Sequence, residues 1–215
     1  MNLARFEELF LEKVRAVAAV GDPAHDLLHF KRVVRMAKFL CEKEGARPEV
    51  VIPAAWLHDL VIVPKDDQRR EEASHLSARE AVLFLKSIGY PGEYLEEIAH
   101  AIEAHSFSAG IEARTLEAKI VQDADRLDAL GAIGIARCFA TAGLLKRSFY
   151  SEIDPFCDER EADDSRFTLD HFFLKLCKIA GTLKTESGRR EGKKRLEAMK
   201  IYLSHLREEI GSVVP

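Results

Sequence analysis

The chain has 215 residues, 47% of them hydrophobic and 32% charged, and a net charge of −4. That is enough apolar sequence for a substantial core in one domain, or in one domain with an appendage. A mild negative charge without a basic tract argues against a broad nucleic-acid-binding face, and no apolar run reaches the ~20 residues of a membrane span.

Arg5, Glu7 and Glu8 break any signal-peptide pattern near the N-terminus. Cys41, Cys138, Cys157 and Cys177 are widely spaced, with no CxxC pair. They read as free thiols of a reducing cytosol rather than a disulfide framework, so the expected compartment is the cytoplasm.

In chain order, an amphipathic helix is predicted over residues 3–20, with Phe6, Leu9, Phe10, Val14 and Val17 on one stripe. Gly21-Asp22-Pro23 stops it and starts the next, since Asp22 can cap and Pro23 suits a first helical turn. The second helix carries His25 and His29 at i and i+4, on one face, and ends near Glu44 at Gly45. Pro48 opens a third helix. Its apolar run, Val50 to Leu57, ends in His58-Asp59. An imidazole and a carboxylate at the end of a buried segment both need a partner. A metal ion is one; a His–Asp hydrogen bond closing the helix is the other.

Residues 61–70, with Pro64 and Lys65-Asp66-Asp67, are expected to be a loop, either a cover over the site or a solvated turn. A fourth helix is expected from about Ser74 to Ile88, stopped by Gly89, and a fifth from Pro91 to His105. His75 starts the fourth and His105 ends the fifth. After a loop at Ser106 to Gly110, a sixth helix runs from about Thr115 to Leu130 and carries Asp123, Asp125, Arg126 and Asp128. Gly131 and Gly134 interrupt the chain before a helical stretch to Leu145. Residues 150–166 read as a polar surface excursion, and Leu169 to Ile179 and Arg189 to Ile210 as two more helices. No segment alternates with a strand period, so the fold class is all-α.

Three motifs now stand in order: His25-Asp26-Leu27-Leu28-His29, His58-Asp59, and Asp123-Ala124-Asp125-Arg126-Leu127-Asp128. This order resembles the HD-domain superfamily of metal-dependent phosphohydrolases, its small bacterial members in particular. The resemblance runs from about Asp22 to Arg137 and more weakly to the C-terminus. It implies a single all-α HD domain over 1–215, with a motif core at about 22–137 and a C-terminal helical extension at about 168–210.

The same resemblance implies a ligand set. The pattern HDxxHxxRV supplies its second histidine, His29 here. His58 and Asp59 are the motif that names the family, and Asp125 matches its last aspartate. Asp123 competes with Asp125, but side chains two apart on a helix point ~200° apart, so only one can face the ion. His25 and Asp26 are expected to support the ligands or cap the helix. Two histidines and two carboxylates suit a divalent transition metal (Mn, Fe, Co, Ni or Zn), alone or with Mg, better than an all-oxygen calcium site.

Catalytic candidates are His75, His105 and Asp128. Relatives with two metals recruit further histidines from about these places, and relatives with one use them for phosphate or a proton; ordinary helix-end histidines and a helix-surface carboxylate are the alternative. Arg126, Lys175 and Arg195, with Arg189, are candidate cations for substrate phosphate, against the alternative of snorkelling to solvent. The implied reaction is hydrolysis of a phosphoanhydride or phosphoester, a nucleoside or deoxynucleoside triphosphate being cut to the monophosphate and pyrophosphate. Alternatives are a nucleotide monophosphatase, an alarmone hydrolase, or a non-catalytic metal-binding interaction module. Gly89-Tyr90-Pro91 is in the wrong context for cyclic dinucleotide hydrolysis. The expected partner is a small phosphate compound, neither nucleic acid nor membrane.

Overall fold

A computed structural model describes residues 1–18, 26–61, 63, 72–106 and 109–211. The expected turn at Gly21-Asp22-Pro23, His25, and most of the expected loop after Val61, including Pro64 and Lys65-Asp66-Asp67, lie outside the described residues. Among the described residues the chain is helical and has no strand; Ser148 and Phe167 form an isolated bridge. The all-α class is therefore as expected. No single helix among these residues is long and apolar enough to cross a membrane.

The elements are α1 (Leu3–Ala18), α2 (Leu27–Glu44), α3 (Pro48–Leu57), α4 (Ala73–Ser87), α5 (Leu95–His105), α6 (Leu116–Asp128), α7 (Gly131–Leu144), α8 (Cys177–Ile179) and α9 (Glu186–Gly211). The chain divides into two compact units. The first holds Met1–Asp125 and Lys184–Gly188; the second holds Arg126–Leu183 and Arg189–Pro215.

In the first unit α3 is the central helix, packed by α1, α2 and α5, while α4 packs on α5. Every residue from Val50 to Leu57 is buried. A helix that is apolar all round has no face to offer water, which is why this one takes the middle. It also contains Pro53, which has no N–H to give to the carbonyl of Glu49 one turn earlier. The hydroxyl of buried Tyr90 donates to that carbonyl instead, at 2.7 Å. Phe6 and Phe10 of α1 pack around the Tyr90 ring, at centroid distances of 4.8 and 6.0 Å.

α2 begins at Leu27. Asp26 is its N-cap, and its carboxylate accepts the His29 N–H at 2.8 Å. Gly45 ends the helix in the left-handed region (φ 71°) and returns its N–H to the Cys41 carbonyl. α5 starts later than Pro91 suggests, because a 3-10 turn, Gly92–Tyr94, intervenes.

In the second unit Phe139 of α7 packs against Phe172 and against Tyr202 of α9. The expected single helix over 169–179 is instead a π-helical turn (Phe172–Leu176), the short α8, and a 3-10 turn (Ala180–Thr182). The excursion over 150–166 is irregular, as expected, yet it is tied by side chains. The Asp154 carboxylate accepts the N–H groups of Asp158, Glu159 and Arg160. Arg160 makes a two-pronged bond to fully buried Asp170, which also accepts the Asp163 N–H.

Candidate metal centre

Two helix ends aim the imidazoles. His58 caps α3 and His105 closes α5. The last carbonyls of a helix lack intrahelical donors. His58 Nδ1 donates to the Ala55 carbonyl at 2.9 Å, and His105 Nδ1 to the Ile102 carbonyl at 2.5 Å. A carbonyl only accepts, so the proton of each neutral ring sits on Nδ1 and the lone pair on Nε2 points away. Both rings are buried, as is His29.

The freed nitrogens converge. His29 Nε2 lies 3.3 Å from His58 Nε2. Asp125 Oδ1, from α6, lies 3.7 Å from the first and 3.9 Å from the second. Asp59 Oδ2 is 3.3 Å from His58 Nε2, and Asp59 Oδ1 is 3.3 Å from His105 Nε2. His29, His58 and Asp125 form one group of donors lying within 4.8 Å of one another, and His58, Asp59 and His105 form a second that shares His58. Donors bound at ~2.1 Å to one ion stand ~3.0 Å apart when cis in an octahedron and ~3.4 Å apart in a tetrahedron. The observed spacings approach those values, and the mixed nitrogen–oxygen set suits a divalent transition metal. The residues present fit the group.

The electrostatics agree. Burial alone would pull the His58 pKa down, but the carboxylates of Asp59 and Asp125 outweigh it and push it up to about 9. Burial likewise opposes ionisation of Asp59, and His58 and His105 outweigh it, holding this carboxyl well below the ordinary range. The cluster is thus built to hold positive charge.

Asp123 is fully buried and its carboxylate accepts the Lys184 and Thr185 N–H groups and the Thr185 hydroxyl. His75 is largely exposed and pairs with Glu103 at 3.1 Å. Asp128 belongs to the second unit, buried, with Arg137 Nη1 at 2.7 Å. In that same unit Arg126 donates to the Thr182 carbonyl. Arg195 donates to the Leu127 carbonyl and pairs with Glu191, and Lys175 is exposed within the π-helical turn. Sequence reasoning overlooked Phe30, which shields the cluster from one side with its ring 5.7 Å from His29 and 5.3 Å from His58. Its place directly after His29 was the available signal.

A fold that brings an ordered His, His-Asp and Asp set together at helix ends defines a class of metal-dependent hydrolase, and this chain belongs to the HD-domain family. The family model, described as the HD domain, matches residues 27–130. YpgQ of Bacillus subtilis (strain 168), itself uncharacterized, is 32% identical over 204 residues, covering 93% of this chain and 91% of that protein. The crystal structure of B. subtilis YpgQ in complex with ADP superposes with a TM-score of 0.74 at 30% identity, covering 97% of both chains. An HD-superfamily hydrolase from Bacillus thuringiensis gives a TM-score of 0.73 at 29% identity, covering 94% of this chain and 95% of its own. HD domains bind divalent metals, as the His/Asp cluster here could.

Proposed function

We propose that this protein is a nucleotide phosphohydrolase that cuts a nucleoside or deoxynucleoside triphosphate into the monophosphate and pyrophosphate. The observation that carries the reading is the pair of donor groups that share His58, one with His29 and Asp125 and the other with Asp59 and His105. The presence of ADP in the YpgQ structure supports a nucleotide as the substrate class. The whole chain, 1–215, is read as one HD domain, since the YpgQ match extends over both units. Its four free cysteines suit a cytoplasmic protein.

A divalent ion at this centre supplies a Lewis acid and a water of lowered pKa. His29 and His58 would hold it through Nε2, and Asp59 and Asp125 would balance its charge. His105, with Nδ1 committed to Ile102, has only Nε2 to offer, either as a further ligand or as a hydrogen-bonding group for phosphate. In the reaction a water oxygen forms a bond to the α-phosphorus, the bond from that phosphorus to the bridging oxygen breaks, and pyrophosphate leaves. Lys175, exposed, is proposed to meet phosphate. Arg126 and Arg195 would do so while also holding the carbonyls of Thr182 and Leu127. His75 and Asp128 are proposed to assist the proton and the water.

The test is protein stripped of metal and reconstituted separately with Mn, Fe, Co, Ni and Zn, assayed on a nucleotide panel with phosphate and pyrophosphate detected apart. Pyrophosphate and monophosphate, formed only with the ion, are expected. Undiminished turnover after verified chelation would overturn the metal-dependent reading. Orthophosphate released from monophosphates would reassign the enzyme as a monophosphatase. Retained metal without turnover on any nucleotide would leave a binding module.

A further inference from the structure

Gln122 lies on α6 one turn before Asp125 and is only 3% exposed. Its Nε2 donates to the Ala104 carbonyl at 2.6 Å, and Ala104 directly precedes His105. Its Oε1 is buried and has no hydrogen-bond partner among the described residues. An apolar side chain of the same length would fill this place without burying an unpaired amide oxygen, so packing does not explain the amide. The carbonyl it serves does. Ala104 stands in the last turn of α5, where carbonyls have no intrahelical donor. His105 Nδ1 takes the Ile102 carbonyl in that turn, and Gln122 takes that of Ala104.

We propose that Gln122 is a positioning residue for the metal centre. It ties the end of α5 to α6 and thereby holds His105 against Asp59 in register with Asp125. One amide links two of the helices that carry the donors: Asp125 follows it by one turn on α6, and His105 follows its acceptor by one residue on α5. The inference rests on the reading of the His/Asp cluster as a metal site, but the placement of His105 can be measured without metal.

Gln122→Met keeps the length and removes the donor; Gln122→Asn keeps an amide too short to reach and serves if the Met variant does not fold. In the metal-free protein the first readout is the His105 Nδ1 proton, followed by imidazole nitrogen–proton NMR. Loss of the tie should speed its exchange with water about tenfold through local opening, with the His58 Nδ1 proton and the helix content unchanged. The second readout is cobalt-loaded protein. The visible spectrum of Gln122→Met should move toward that of His105→Ala, and the cobalt dissociation constant should rise ~10-fold, the lower end for groups that support ligands. A His105 proton as protected in Gln122→Met as in the parent protein would overturn the proposal and leave Gln122 a packing residue. If that proton responds but the parent protein binds no cobalt, the metal reading fails while the positioning of His105 stands.

Discussion

Asp123 and Asp125 are both aspartates of one helix, two residues apart, and they do different work. Asp125 Oδ1 faces the two imidazoles; Asp123 is fully buried and accepts from the turn at Lys184 and Thr185. Asp125→Asn should therefore empty the metal centre while the metal-free protein melts much as before. Asp123→Asn should keep the metal but lose ~2–4 kcal/mol of stability, because its amide N–H groups would face N–H donors. Metal content and urea unfolding on both variants separate the two, and an Asp123 variant that is stable but metal-free would reverse the assignment. His58 gives a second residue-scale prediction. Its carboxylate neighbours push its pKa up to about 9, so the metal-free ring is protonated at neutral pH. Only the neutral ring binds an ion, so metal uptake at neutral pH should release a proton, and apparent affinity should fall roughly tenfold per pH unit below that value. Calorimetry in two buffers of different ionisation heat measures the proton; equal apparent enthalpies would mean that none is released.

At the scale of elements, α3 is central because it is apolar on every side, and it tolerates Pro53 because a side chain from elsewhere replaces the lost bond. Tyr90 supplies it, donating to the Glu49 carbonyl at 2.7 Å. Tyr90→Phe keeps the ring among Phe6 and Phe10 and leaves the part-buried Glu49 carbonyl without this donor, which should destabilise the protein by ~1 kcal/mol. Chemical denaturation measures this, and an unchanged midpoint would mean that water serves the carbonyl equally well. The 150–166 excursion follows the same logic. Its polar residues look unstructured in isolation, but the partner that orders them, Asp170, is a buried carboxylate beyond the segment's end.

For the molecule as a whole, donors from α2, α3 and α6 span the chain from His29 to Asp125, so an ion held among them links segments that are distant in sequence. Free metal at a hundred times its dissociation constant should stabilise the native state by ~2.7 kcal/mol. For a chain of this length that is a rise in melting temperature of ~5–10 °C. Thermal unfolding with and without ion measures it, and a melting curve indifferent to metal would argue against binding by the native state alone.

By itself the sequence determined what depends on local spacing. Helical period, caps and breakers gave the all-α class and most helix positions, because those signals act within one or two turns. The ordered motifs picked out His29, His58, Asp59 and Asp125 as candidates; helical rotation said that only one of Asp123 and Asp125 could face an ion, and the family resemblance favoured Asp125. The tertiary structure decided what depends on partners far along the chain. Asp123 answers to Thr185, 62 residues away. The Ala104 carbonyl meets Gln122, 18 residues on. Tyr90 answers to a carbonyl freed by Pro53, and the C-terminal stretch around Phe172 winds as a π-helical turn rather than a regular helix. A hydrogen bond is specified by where two groups meet in space, and no periodicity in either segment records which distant group the other will meet.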